Sequence, residues 1–433
     1  KIDIKVTIEE LYSIFKEHRT ITTDSRKCIC DSIFFALKGE NFDGNEFALR
    51  ALSEGCAYAV VDDPEVATDE RIILVNNVLQ TLQALARFHR RVLNIPVIAI
   101  TGTNGKTTTK ELTAACLSQK YNVLATEGNL NNHIGVPLTL LRLTKAHEIA
   151  VIEMGANHPG EIRALANIAE PNFGIITNVG KAHLLGFGSF EGVIRTKCEL
   201  YDYIRQRGGH VFLHHENIFL QPKSEGLEKS EYGETPGLFI SGKLTNCSPY
   251  LSFDFIRQGG SPISVNTHLI GNYNLPNALA ASAIAAYFEV PAMAIKKALE
   301  EYEPQNRRSQ LLKTGNNTLI LDAYNANPTS MNAALDNFVA MDVPHKAVIL
   351  GDMGELGIDS EAEHRKIVDK LKNAGFDKVI LSGMEFVKVA EGLECYPTTE
   401  ALADSLKSDP LKGFTILVKG SRFMQLEKCI DLL

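Results

Sequence analysis

The residues best suited to chemistry meet first in VIAITGTNGKTTTKEL, residues 97 to 112, where Gly102, Thr103, Asn104, Gly105 and Lys106 run into Thr107 and Thr108. An apolar, β-branched run from Val97 to Ile100 precedes them, and Leu112, Ala115 and Cys116 follow at helical spacing. The glycines therefore lie between a strand and a helix. In that setting backbone N–H groups converge on an anion and the helix N-terminus adds its positive end. Lys106 then reaches the outer phosphates, and a threonine hydroxyl holds Mg²⁺. Ile100 stands where the strict G-x-x-x-x-G-K-[ST] pattern wants glycine, so the loop is a variant. A plain glycine turn with a surface lysine accounts for less, because lysine, hydroxyls and flanking elements all agree. A phosphate loop alone leaves switch, kinase, motor and ligase open.

Further candidates stand at the ends of apolar strings. Glu153 ends AVIE and suits Mg²⁺, a hard cation that takes oxygen ligands, although any strand can end in glutamate. His183, in TNVGKAHLLGFGS, follows another apolar run in a glycine-rich loop, where a lone histidine is more often structural. Lys197, in IRTKCELYDYI, reads as a lysine beside glutamate on a solvated helix face. Asp322 ends TLILD, and Asn325, Asn327 and Pro328 follow, either as ligands for a ribose or peptide-like group or as turn and capping residues. Arg307 and Arg308 are equally readable as a phosphate sensor or as solvated linker.

These residues need a scaffold, and 433 residues exceed what one core usually supports. Residues 1 to about 90 read as a small α/β unit, with SIFFALKG as a strand, FALRALSEGCAYAVV as helix then strand, and VLQTLQALARFHRRVL as a helix. From 97 to about 205, IAVIEM and FGIITNV alternate with helical stretches in the βαβ rhythm of a parallel sheet. YLSFDFIRQGGSPISVNTHLI reads as a hairpin turning at Gly259 and Gly260, followed by the alanine-rich helix of NALAASAIAAYF. Past Pro304 the parallel rhythm resumes with NTLILDAY, KAVILGD, DKVILSG and FTILVKG, each ending where ligands collect in open α/β sheets. The fold class is thus α/β in two or three domains. Composition is ordinary for a globular protein, at 45% apolar and 22% charged. A net charge of −8 argues against a general nucleic-acid binder, and no run approaches membrane-span length. A cytoplasmic protein is expected. Its eight cysteines have no zinc spacing and read as free thiols.

Taken in order, TGTNGKTTT, EGNLNNHIGVPLTLL, IEMGANHPGEI, TNVGKAHLLGFGS, RTKCELYDYI, GNYNLPNALAA, LDAYNANPTSM and LGDMGELG resemble the Mur ligases nearly end to end. TTDSRKCICDSIFFALKGENFDGNEF resembles that family's N-terminal nucleotide-sugar module, while YNANPTSM, GDMGELG and VKGSRFMQLE resemble the members that add D-alanyl-D-alanine. The resemblance implies three α/β domains: residues 1–92 for the UDP-sugar, 93–304 with the P-loop and a parallel sheet for ATP, and a Rossmann-like 305–433 that brings the amine. It implies an ATP-dependent ligase acting on UDP-N-acetylmuramoyl-tripeptide and D-alanyl-D-alanine through an acyl phosphate, with two Mg²⁺ ions, and working as a monomer.

By position, Lys106 would hold phosphates, Thr107 and Glu153 one Mg²⁺, and His183 the second. Lys197 would be a carbamate serving a metal. Asn277 would contact adenine, and Arg307 and Asp322 the phosphates and ribose. Ser25 and Arg26 would face the UDP moiety, Asn131 and Asn132 the substrate, and Asn325 and Asn327 the dipeptide. Tyr273 departs from a common histidine and Gly354 from a bulkier residue. A folylpolyglutamate-synthase-type ligase shares the later layout but lacks the DSR and FDGNEF module. A nucleotide-driven switch would turn over ATP without the amine.

Overall fold

The computed structural model describes residues 6–304 and 309–433, which form three α/β units. Arg307 and Arg308 fall outside the described residues. The first unit opens with the helix Ile8–Glu17, started by a capping box in which Thr7 Oγ1 accepts the Glu10 N–H and the Glu10 carboxylate accepts that of Thr7. Its parallel sheet runs Ile21–Thr22, Ile33–Phe35, Tyr58–Val61, Ile72–Leu74. Strand periodicity splits the sheet's residues. Phe34, Ala59 and Val61 pack with the helix Ala48–Ser53 on one face. Ile33, Phe35 and Val60 pack on the other with the helices Ile8–Glu17 and Val78–Leu93.

The central unit carries a nine-stranded sheet. Its parallel heart orders His210–His214, Phe173–Ile176, Val97–Thr101, Ile149–Glu153 and Val123–Ala125 as neighbours. Both faces are covered, which is why these strands read as continuous apolar runs rather than alternating ones. The alanine-rich helix Leu275–Tyr287 is apolar all round and correspondingly buried. It lies in the same core as the helix Lys106–Leu117. Beyond His210–His214 the sheet continues through Glu228–Gly233 and Ile240–Cys247, then turns antiparallel with the hairpin Tyr250–Arg257 and Ile263–Ile270. The expected hairpin is present and extends the central sheet.

In the third unit, Thr318–Asp322, Thr415–Lys419, Lys346–Gly351, Lys378–Ser382 and Glu394–Tyr396 are parallel neighbours, with Gln310–Lys313 antiparallel at one edge. The C-terminal ends of Thr318–Asp322 and Thr415–Lys419 face the same cavity as the C-terminal ends of the central strands.

Candidate active site

The phosphate loop owes its path to two glycines. Gly102 has φ +145° and Gly105 φ +77°, and a Cβ on either would meet Thr177 Oγ1 at 2.0 Å or Asn277 Oδ1 at 2.5 Å. The loop is pinned from the next strand's end. Thr103 N–H donates to Asn178 O at 3.0 Å, Asn104 N–H to Asn178 Oδ1 at 2.9 Å, and Thr177 Oγ1–H to Asn104 O at 2.6 Å. Gly105 caps the helix Lys106–Leu117, so that helix's N-terminus opens on the loop. Lys106 folds back, its Nζ donating to Gly102 O at 2.8 Å and Thr103 O at 3.1 Å.

A cavity of about 550 Å³ lies over this loop. Thr103, Asn104, Gly105, Lys106, Thr107 and Thr108 line it from below. Asn131, Asn132, Glu153, His183 and Asn277 line it from other parts of the central unit, and Asp322 and Asn325 from the C-terminal unit. Gly102, Lys197, Asn327, Ser25 and Arg26 do not line it.

Glu153 ends its strand buried, at 2% exposure. Asn131 Nδ2–H donates to its Oε1 at 2.8 Å, while its buried Oε2 has no hydrogen-bond partner. A carboxylate oxygen left unpaired in a buried wall is costly unless something positive meets it. That orphan oxygen fits a hard cation such as Mg²⁺.

Lys197 corrects its unaided reading. It is not on a solvated face but buried at 2% exposure, on the helix Phe190–Arg207. Its Nζ donates to Ala156 O at 3.3 Å and lies 5.3 Å from the centre of the Phe187 ring. Burial, helped by the positive charge of Lys106, holds this amine well below the ordinary lysine range. Sequence spacing cannot reveal this, because the helix is covered on the Lys197 side by the short helix Leu184–Phe187.

His183 adopts a left-handed backbone, φ 50°, and its Nδ1 bonds the carboxylate of Glu355 from the C-terminal unit. Burial lowers its pKa, opposed by Glu355. Asp322 accepts from the buried Lys419 Nζ at 2.5 Å, and the same amine donates to Asn325 O at 3.2 Å. Asn277 is held by its neighbours, accepting from Thr109 Oγ1–H at 3.1 Å and donating to Asn274 Oδ1 at 2.9 Å. Asn132 Oδ1 caps the turn before the helix Gly135–Leu141, taking N–H groups from Ile134 and Gly135. Asn327 is the N-cap of the helix Pro328–Ala340 and exchanges hydrogen bonds with Asn104 across the units, at 2.8 and 3.4 Å. Ser25 is buried and Arg26 exposed in a short 3₁₀ turn of the N-terminal unit, Arg26 paired with Asp24 at 2.9 Å.

Sequence reasoning passed over Asn178, Lys419 and Glu355, and named Tyr273, whose hydroxyl meets Ser309 Oγ at 2.9 Å, only as a departure from histidine. The available signal was position: Asn178 and Lys419 stand at or just past strand C-termini, where ligand groups gather.

Three family descriptions match the chain in order: Mur ligase family, catalytic domain, over residues 17–90; Mur ligase middle domain, over 100–285; and Mur ligase, glutamate ligase domain, over 307–422. The UDP-N-acetylmuramoyl-tripeptide–D-alanyl-D-alanine ligase of Escherichia coli (strain K12) is 36% identical over 424 residues, 95% of this chain and 93% of that one. The chain belongs to the Mur ligase family. Among solved Mur ligases, MurF from Acinetobacter baumannii matches with a TM-score of 0.89 and 31% identity over 98% of each chain. The MurF ligase from Thermotoga maritima, solved in complex with ADP, matches with a TM-score of 0.85 and 26% identity over 96% of this chain and 97% of that one. The three-unit α/β architecture is therefore the Mur ligase one.

Proposed function

We propose that this Mur ligase joins D-alanyl-D-alanine to UDP-N-acetylmuramoyl-tripeptide at the expense of ATP, giving the pentapeptide precursor of peptidoglycan, ADP and phosphate. One observation carries the reading: a single cavity collects a phosphate loop, an orphan carboxylate oxygen and the strand ends of the C-terminal unit. A nucleotide switch needs the first two. A ligase needs the third as well, because beyond holding a triphosphate and balancing its charge it must bring in a second reactant.

Amide formation from a carboxylate requires a better leaving group than oxide or hydroxide. The tripeptide carboxylate oxygen attacks the γ-phosphorus of ATP, and the bond to the β–γ bridging oxygen breaks, leaving ADP and an acyl phosphate. The dipeptide amine then attacks the acyl carbon, loses a proton and expels phosphate. In this reading Lys106 exchanges its loop carbonyls for phosphate oxygens, and backbone N–H groups of the loop and helix start face the same anion. Thr107 and Glu153 would hold one Mg²⁺ and His183 a second; such ions supply charge neutralisation along the phosphates. Lys197, whose burial makes its amine give up a proton more readily than an ordinary lysine, would attack CO₂ through its nitrogen and release a proton, becoming an N-carboxylate with oxygen ligands for a cation. Asp322 with Lys419 would set the ribose side, Asn325 the dipeptide side, and Ser25 and Arg26 the UDP moiety. Closing of the C-terminal unit over the cavity would keep water from an intermediate that water would destroy.

The test is phosphate release from ATP measured with each amino-acid substrate alone and with both. Release that needs both, with pentapeptide formed in equal amount, supports the ligase; equal turnover without the dipeptide would overturn it in favour of a switch. Lys197→Ala should lose about 100-fold or more in rate and regain part of it with added short carboxylates or bicarbonate. Full activity in the unrescued variant would end the carbamate reading.

A further inference from the structure

LGDMGELG, residues 350 to 357, has the geometry of a rigid presenter. Each residue leading up to Glu355 is pinned. The Asp352 carboxylate accepts the N–H groups of Glu385 and Phe386, both at 2.9 Å, at the start of the helix Met384–Val387. Met353 N–H donates to the buried His364 Nε2 at 3.0 Å, and Gly354 N–H to Ser421 Oγ at 2.8 Å. Glu355 then takes a left-handed backbone, φ 60°. That conformation is unfavourable for a residue with a side chain and persists where the surroundings impose it. It sends the carboxylate across the unit boundary onto His183 Nδ1, while Leu185 N–H donates to Glu355 O at 3.2 Å. His183 is itself left-handed, so a strained residue on each side meets the other.

We propose that Glu355 is the positioning residue for His183, and that this contact couples seating of the C-terminal unit to competence of the nucleotide site. The inference rests on the reading of His183 given above. An ionised carboxylate only accepts hydrogen bonds, so the bond fixes the proton of the imidazole on Nδ1. The lone pair left to the cavity-lining ring is on Nε2, the atom available to a cation or an incoming group. Without Glu355 the ring is free to rotate and to move its proton to Nε2. The His183 ring is therefore set only when the C-terminal unit is in place.

The test uses the full chain with ¹⁵N-labelled histidine, the His183 signals being assigned by their loss in His183→Ala. The wild type should show the Nδ1–H tautomer at His183, and Glu355→Ala should move it toward Nε2–H. Steady-state kcat should fall about 10- to 100-fold in Glu355→Ala with KM for the UDP-tripeptide unchanged. Glu355→Gln, whose amide oxygen still accepts from Nδ1–H, should recover both the tautomer and most of the rate. An unchanged tautomer in Glu355→Ala overturns the proposal. So does a rate loss equal in Glu355→Ala and Glu355→Gln, or a change confined to KM for the dipeptide, which would mark a domain contact only. Full activity in His183→Ala would instead remove the role of His183, and the nitrogen spectra would still decide the contact.

Discussion

The two joints of this molecule are built from different materials. Between the N-terminal and central units, Leu11, Phe15, Val60, Leu82 and Leu85 share one apolar cluster with Val136, Leu140, Ile152 and Leu165. Buried polar links reinforce it: His89 sits between the Tyr12 hydroxyl at 3.1 Å and Leu143 O at 2.9 Å, and Arg90 reaches the Ala169 carbonyl at 3.1 Å. Between the central and C-terminal units, Ile270 and Tyr250 join the C-terminal apolar cluster, but the contacts around the cavity are polar. They include the Asn104 and Asn327 exchange, Lys181 N–H to Thr329 Oγ1 at 3.1 Å, Lys181 Nζ to Glu363 at 3.1 Å, and His183 with Glu355. Apolar burial is lost in proportion to the area exposed, whereas polar contacts near a surface are exchanged for water at little net change. The first joint therefore behaves as one body and the second as a closure, which suits a site that must admit two substrates and then exclude water.

The sharpest test is to hollow out the first joint. Phe15→Ala should destabilise the protein by about 3–5 kcal/mol, followed by circular dichroism in urea. Its N-terminal and central units should shift together as one transition. Separate melting of the N-terminal unit, with the rest unmoved, would break the contrast.

Acid should act at the same joint. Burial lowers the pKa of His89 from the ordinary value of 6.5, so the native protein resists a proton that the unfolded chain accepts. Its contribution to stability is intact above that ordinary value and falls as pH drops below it. Acidification from about pH 7.5 to 5.5 should lower the melting temperature more in the wild type than in His89→Gln. Equal losses would mean that His89 is not among the groups resisting acid.

The smallest effect belongs to the second joint. Glu363→Ala removes the cross-unit partner of Lys181, an amine that is half exposed. Stability should change by no more than about 0.5 kcal/mol and kcat/KM by about two-fold, the latter vanishing in high salt. A loss of several kcal/mol would show the second joint to be as firmly welded as the first.

Much of this was legible in the chain. Val97–Thr101, Ile149–Glu153, Phe173–Ile176 and the later strands announce themselves as short apolar runs because both faces of their sheets are covered. The Gly102 to Thr108 loop announces itself because few other chemistries need that combination of residues. Lys197 was misread because a helical lysine beside glutamate carries no mark of what packs over it. Asn327 could be read as ligand or cap, since asparagine serves both purposes, and the structure shows it capping a helix and bonded to Asn104. Glu355 and Lys419 went unseen because neither has its partner nearby in sequence: His183 is 172 positions from the one, and Asp322 is 97 from the other.

By itself, then, the sequence determined the local events: where strands stop, where helices are capped, and which turn can wrap a phosphate, since these depend on neighbours within a few residues. Only the tertiary structure decided which strand ends share a cavity, which lysine loses its water, which glutamate oxygen is left unpaired and which histidine is gripped from another unit. Desolvation and long-range pairing depend on what covers a side chain in space, and that is a property of the packed whole.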